Sequence, residues 1–461
     1  MFVNRETEIA RLKRVLVSET TQLVVIYGRR RCGKSTLLKK LLDESAVYFS
    51  ADMRETPLQI KALAGRIEKL IPGFSAPVYP GWESFFRSLN TGLRQRITLC
   101  IDEFPYLVKN SPELPSVLQN IHDDGAHSNY NLFLCGSSQM MMRGMVLDSN
   151  APLYGRADEI MKIGPMSAVH LREFLGLSAE DAITEYGIWG GVPRYWEIRK
   201  KSGSLDEALQ RHVVNQYGLL ADEPERLFSD EIRTSVQAFT LLSLIGSGSH
   251  RLSDLAARLG KPSTHLSNAL AFLTELKYIR REIPFGESSR STKRSLYKID
   301  DPFLNFWFRF IVPEKSSIDF GDTSRVLKEI RKNIPLHTST IWEELCRTSI
   351  PFIIKGKEFN PASRWWGKGR DGAQMEIDVV AESTDKSALV LGEAKWSENT
   401  VPETEVAILK KKASNLPFAG RHKIIPVLFV KKKPASLPEG VLVFGPDEVL
   451  EALALIGKKT K

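Results

Sequence analysis

Short apolar runs alternate with amphipathic stretches through the first 165 residues of the chain. Residues 22–27 (QLVVIY), 46–50 (AVYFS), 97–101 (ITLCI) and 131–135 (NLFLC) are apolar enough to be buried strands. Each is followed by polar or turn residues and then by helical periodicity, which predicts a parallel sheet covered on both faces. From 166 to 230 the pattern is helical, with a GGVPRYW turn at 190–196. By analogy with other nucleotide-binding sheets, this segment is expected to form a lid.

Residues 231–312 carry another pattern. An apolar helix at 236–245 precedes two amphipathic helices, 251–259 and 262–276, joined by Gly260 and Lys261. Residues 278–283 and 294–298 then alternate like two strands, with a basic, Ser-rich loop between them. Together these predict a winged helix-turn-helix. The aromatic stretch 301–310 (DPFLNFWFRF) reads as core that docks the wing. From 335 to 461 mixed α/β patterning returns: a helix around 341–348, strands at 376–381, 388–393 and 423–430, and a closing strand and helix.

A chain of 461 residues is too long for one core, and about two to four domains are expected. The excess of 64 Lys and Arg over 55 Asp and Glu permits contact with nucleic acid without requiring it. Cys32, Cys100, Cys135 and Cys346 are far apart in sequence, which argues against a disulfide framework and a structural zinc. The charged start and the short apolar runs indicate neither a signal peptide nor a spanning helix, so a cytoplasmic protein without a membrane partner is expected.

The chemistry begins at Gly28, Arg29, Arg30, Arg31, Cys32, Gly33, Lys34 and Ser35, which match G-x-x-x-x-G-K-[ST] between a buried strand and a helix. Glycines there let backbone N–H groups close around phosphates at a helix N-terminus. Lys34 is expected to reach the β- and γ-phosphates of ATP, Ser35 to ligate Mg²⁺, and Thr36 to complete the nucleotide site. The three arginines read as mostly solvent-facing. The strand at 97–101 ends in Asp102 and Glu103; Asp102 would hold Mg²⁺ through water, and Glu103 would orient or deprotonate the attacking water. After NLFLC, either Ser137 or Ser138 could sense the γ-phosphate, or the segment is a plain turn. Arg156, in LYGR, could stabilise transition-state charge in cis or from a neighbouring subunit, or be an ordinary surface residue.

Several motifs carry a resemblance. The opening FVNRETE, the GRRRCGKS loop, LCIDEF, FLCGSS, PLYGR, GGVPRYW and Asp222-Glu223-Pro224 are similar to those of the archaeal-type ATPases, a P-loop group allied to the AAA+ and STAND ATPases. The resemblance covers essentially the whole chain. It implies that FVNRETE lies near the adenine, that Pro193 belongs to the lid, and that a nuclease-like domain of uncharacterised function follows. Asn4 stands where the family usually has glycine.

Glu376-Ile377-Asp378 and Glu393-Ala394-Lys395 form a second constellation. Residues two apart on a strand share a face, so Glu376 pairs with Asp378 and Glu393 with Lys395. If the strands form a hairpin, Asp378, Glu393 and Lys395 can converge, as in the PD-(D/E)xK nucleases. Asp378 and Glu393 would hold Mg²⁺, Lys395 would position water or stabilise charge, and Glu343 matches a further acidic position. A surface hairpin with an incidental Glu393–Lys395 pair is the other reading. Trp365 and Trp366 could stack on bases or pack in the core.

In the helix at 262–276, Ser263, Thr264, His265, Ser267 and Asn268 could reach DNA, with Arg280, Arg281, Arg290, Lys293 and Arg294 on the wing; protein contacts are the alternative. The expected fold is therefore α/β: a P-loop ATPase core (1–165), a helical lid (166–230), a winged helix (231–312) and a restriction-endonuclease-like domain (335–461). The expected function is ATP-driven DNA processing with a Mg²⁺-dependent nuclease domain. The alternative is a nucleotide-dependent switch binding DNA or protein, its last domain inert. Assembly as a homo-oligomer or with a protein partner stays open.

Overall fold

The computed structural model describes residues 4–124, 129–231, 235–288, 294–420 and 422–456. Phe2, Val3, Arg290 and Lys293, singled out above, lie outside the described residues. The chain divides into two units, Met1–Pro165 and Met166–Lys461.

In the first unit the four apolar runs are strands: β1 (Leu23–Tyr27), β2 (Val47–Ser50), β3 (Ile97–Asp102) and β4 (Tyr130–Gly136). A fifth, β5 (Glu159–Lys162), escaped the sequence reading because it is an edge strand, short and half polar. All pairings are parallel, in the order β2-β3-β4-β1-β5. β1, β3 and β4 are buried along their whole length, as a sheet covered on both faces requires. With β4 between β1 and β3, the loops leaving these three strands open at one edge of the sheet, where ligands of such sheets bind.

The second unit begins with helices Ala168–Leu175, Ala179–Trp189, Pro193–Arg199, Leu205–His212 and Glu223–Glu231. Their core holds Trp189 and Trp196. Trp189 donates to Glu185 (2.6 Å) and Trp196 to the Gly190 carbonyl (2.7 Å), so neither indole N–H is left bare. Helices Ser235–Gly246, Leu252–Leu259 and Ser263–Glu275 follow, then the antiparallel hairpin β6 (Ile279–Glu282) and β7 (Leu296–Ile299). Gly260 ends the middle helix at φ 59°, a left-handed conformation suited to glycine. The aromatic stretch is core: Phe303, Phe306, Trp307 and Phe308 are buried. Trp307–Ile311, reaching one residue past this stretch, form a π-helical turn.

The helix Thr323–Ile353 then runs unbroken through residue 335, where the sequence suggested a new segment, with Pro335 and Pro351 inside it. Five strands close the unit: β8 (Ser363–Lys368), β9 (Gln374–Glu382), β10 (Ala388–Lys395), β11 (Lys423–Val430) and β12 (Leu442–Phe444). β8, β9 and β10 pair antiparallel, and β10, β11 and β12 parallel. Among the described residues no helix is long and apolar enough to cross a membrane.

Candidate functional site

At the carboxyl edge of the first sheet, β1 runs into Gly28 at φ 150°, and a Cβ there would lie 2.1 Å from the Ile163 carbonyl oxygen. Only glycine lets the loop leave β1 past the end of β5. Gly33, at φ 90°, caps the helix Lys34–Leu41. Lys34 is buried, and its Nζ donates to the carbonyls of Gly28 (2.8 Å) and Arg29 (3.0 Å). Ser35 is partly buried and Thr36 exposed. Of the arginines expected to face solvent, Arg30 does so, whereas Arg29 is buried. Cys32 is buried as well, and none of the four cysteines is in a disulfide.

Arg5 joins this loop from the chain's start, donating to the carbonyls of Cys32 (3.2 Å) and Gly164 (2.5 Å). No motif in the sequence pointed to that contact.

Asp102, at the end of β3, is buried and accepts from the Glu103 backbone N–H (3.0 Å). Glu103 sits at φ 55°, a strained conformation for a residue with a Cβ. Its carboxylate accepts from the Ser137 hydroxyl (2.7 Å) and backbone N–H (3.3 Å). Of the two serines left open above, Ser137 meets Glu103, while Ser138 caps the helix Gln139–Val146. Arg156 forms a two-pronged pair with Asp123, its Nη2 lying 2.6 Å from the carboxylate.

Tyr48 was missed altogether. Its hydroxyl donates to Asp102 and lies within hydrogen-bonding reach of Ser35, so it bridges the two side chains expected to hold Mg²⁺. Burial first, then the Asp102 carboxylate, push the phenol pKa well up, which keeps it a donor. Tyr48→Phe is expected to raise the Mg²⁺ concentration for half-maximal ADP binding about three- to tenfold, the worth of one hydrogen bond to a charged group. Calorimetric titration reads this directly, and an unchanged Mg²⁺ dependence would leave Tyr48 a packing role only.

In the second unit β9 and β10 form the anticipated hairpin, with Gly392 opposite Val379. Asp378 accepts from the Ala394 backbone N–H (3.0 Å), which brings it beside Glu393 and Lys395. Glu343, Asp378, Lys395 and Glu405 line a cleft of about 540 Å³. Glu393 is only 2% exposed and is held by Lys395 (3.0 Å) and by Lys412 (2.6 Å), a residue from the helix Pro402–Asn415. Burial, then the Asp378 charge, raise the Glu393 pKa and push that of Glu343 up to about 7. Glu376 stands apart, bound by Arg364 of β8. Trp365 is core, packed on Phe418. Among the described residues no three His, Cys, Asp or Glu side chains form a ready-made cation cage.

Residues 2–197 match a family described as an ATPase domain predominantly from Archaea. Residues 307–408 match one described as archaeal and bacterial proteins of unknown function. An uncharacterized protein of Methanocaldococcus jannaschii is 31% identical over 409 residues, covering 86% of this chain and 88% of the relative. The chain belongs to this family of archaeal ATPases.

An uncharacterized ATP-binding protein of the same organism is 43% identical over 47 residues, 10% of this chain and 80% of the relative. In fold, the Walker-type ATPase of Pyrococcus abyssi is similar with a TM-score of 0.52 at 22% identity, over 67% of this chain and 96% of that one. The family's ATPase domain thus spans the first unit and continues to residue 197, past the Pro193–Arg199 helix start.

On the three-helix segment, Ser263, Thr264, His265, Ser267 and Asn268 are all exposed along one helix. Of the hairpin cations, Arg281 is exposed, but Arg280 is held by Asp300 (3.2 Å) and Glu344 (2.7 Å), and Arg294 by Glu287.

Proposed function

We propose that this protein couples ATP hydrolysis in its first unit to Mg²⁺-dependent handling of DNA by its second. The observation that carries the reading is the cleft of Glu343, Asp378 and Lys395, with buried Glu393 behind it. Acids whose protons are held by mutual repulsion suit a cation site, and their oxygens are the donor type Mg²⁺ takes.

In the first unit, Lys34 leaves the carbonyls it now holds and meets the β- and γ-phosphates. Glu103, aimed by Ser137, orients the attacking water and accepts its proton. Ser35 and Asp102 would hold Mg²⁺ there, and Asp378 and Glu393 would hold it in the second unit. Bound Mg²⁺ supplies neutralisation of phosphate charge at both centres. For transition-state stabilisation, Arg156 must first exchange Asp123 for phosphate. Lys395 orients water or steadies the charge of a scissile phosphate.

The three helices with the β6–β7 hairpin read as a winged helix that grips DNA through the exposed face at Ser263, Thr264, His265, Ser267 and Asn268, with Arg281 beside it. One observation favours a second reading. Glu393 is already neutralised by two lysines, which suits a nucleotide-dependent switch whose last domain binds without cutting.

Plasmid nicking with ATP and Mg²⁺ or Mn²⁺ separates the two. The first reading expects nicking by wild type, at least 100-fold less with Asp378→Ala, a size set by loss of metal-assisted chemistry. Lys34→Ala then shows whether ATP gates the cut. ATP hydrolysis with no nicking under either cation would overturn the nuclease reading and leave the switch.

A further inference from the structure

A cavity of about 590 Å³ opens within the second unit, lined by none of the residues assigned above to the ATP loop or the acidic cleft. Its lining includes the end of the Ser235–Gly246 helix, the β6–β7 hairpin, the π-helical turn and one face of the Thr323–Ile353 helix. Its apolar wall includes Ile245, Ile299, Ile341 and Leu345. That size and that mixture of surfaces suit a small molecule of nucleotide size or less.

The charges around it do not balance. Arg280 is met by Asp300 and Glu344, and Lys298 by Glu282 at 2.8 Å. Arg309, which also lines the cavity, has no ion pair or hydrogen bond among the described residues; its guanidinium lies only over the Phe310 ring, 5.2 Å from the centroid. Burial lowers its pKa with no acid opposing the shift. A half-buried guanidinium in a folded core ordinarily has a counter-charge. Arg309 also belongs to the π-helical turn, a distortion that recurs at functional sites because it re-aims side chains.

The remaining polar lining limits the ligand's charge. Burial lowers the His250 pKa, and its Nδ1–H donates to the Tyr297 carbonyl (3.0 Å), so this ring nitrogen is already engaged. One unbalanced cation over an apolar wall calls for one anionic head on an apolar body.

We propose that this cavity is a binding site for a small organic anion with a single head group (carboxylate, sulfonate or phosphate monoester), received by Arg309. Its lining shares no residue with the ATP loop or the acidic cleft. The Thr323–Ile353 helix carries Thr340, Ile341 and Glu344 on the cavity and Glu343 on the cleft, so the ligand would touch the element that supplies the cleft's acid.

The test is a fluorescence titration of the full chain with anilinonaphthalene sulfonate, with ADP and Mg²⁺ saturating to exclude the nucleotide loop. Wild type is expected to show one saturable site, displaced by benzoate or phenyl phosphate; which competitor is stronger identifies the head group. Arg309→Met is expected to weaken binding at least tenfold, and Arg309→Lys to retain most of it. Because Arg309 has no ion pair or hydrogen bond to lose among the described residues, Arg309→Met is also expected to melt no lower than wild type without ligand, which an arginine held by a structural ion pair would not allow. Ser247→Trp, at an exposed position on the rim, is expected to block the probe sterically in a second way. Equal titrations for wild type, Arg309→Met and Ser247→Trp, or no saturable site in wild type, would overturn the proposal.

Discussion

Glu103→Gln is expected to lower ATP turnover by about 10²–10⁴-fold, the range typical of losing a general base. Nucleotide affinity should stay within a few-fold of wild type. The split follows from what each side chain touches. In the mechanism proposed above, Lys34 and the loop backbone would provide the phosphate contacts, and Glu103 would contribute none of them. Its carboxylate is aimed by Ser137 at 2.7 Å, at the same sheet edge as the loop. Glutamine keeps the shape and can still accept the Ser137 hydrogen bond, but it cannot take a proton from water. The strained φ of 55° at this position is set by the backbone and persists in the variant. Phosphate release in steady state gives the first quantity, and calorimetric ADP binding gives the second. Turnover within threefold of wild type would remove Glu103 from the chemistry, and an equal loss of both would make it a binding residue.

The sequence made the first sheet readable because its inner strands are buried on both faces and are therefore apolar without interruption. It made the phosphate loop readable because glycine and lysine spacing there is a local requirement. β5 and β8 were not readable, since each is a half-polar edge strand with no uninterrupted apolar run. That gap also hid the partner of Glu376. The two-residue spacing does place it on the face of Asp378, but Arg364, from the unanticipated β8, takes its carboxylate.

Tyr48 was hidden for a related reason. It stands beside Asp102 because β2 pairs with β3 in a register that sets Ser50 against Asp102, and register between distant segments leaves no local trace. Lys412 reaches Glu393 from a helix turned back over β10, a contact again fixed by packing. The π-helical turn is illegible on other grounds: WFRFI is apolar nearly all round, so it has no period from which to read a helix type.

Arg347→Met is expected to destabilise the second unit by about 3–5 kcal/mol, the usual cost of deleting one partner from a buried ionic cluster. Arg347 is buried within the helix Thr323–Ile353 and serves several acids at once. It bonds Glu344 (2.9 Å) and the Asp378 carbonyl (3.0 Å), and it lies 3.8 Å from both Glu282 and Glu343. Methionine fills much of the volume, so the loss is one of charge and hydrogen bonds rather than of a cavity. Burial pushes the Glu282 carboxyl up, but Lys298 and Arg347 together outweigh it and bring its pKa down to about 2. A folded pKa below the unfolded value contributes stability that is present above about pH 4.5 and is lost as pH falls toward 2. The gap between wild type and Arg347→Met is therefore expected to be full at pH 7 and to shrink by pH 3. Urea unfolding followed by tryptophan fluorescence checks both points, because all of the eight tryptophans except Trp82 lie in this unit. A gap below 1 kcal/mol at pH 7, or one that widens in acid, would mean that the cluster does not need its arginine. A gap of the expected size and sign would make Arg347 the residue that ties the β6–β7 hairpin, through Glu282, to the helix and strand lining the acidic cleft.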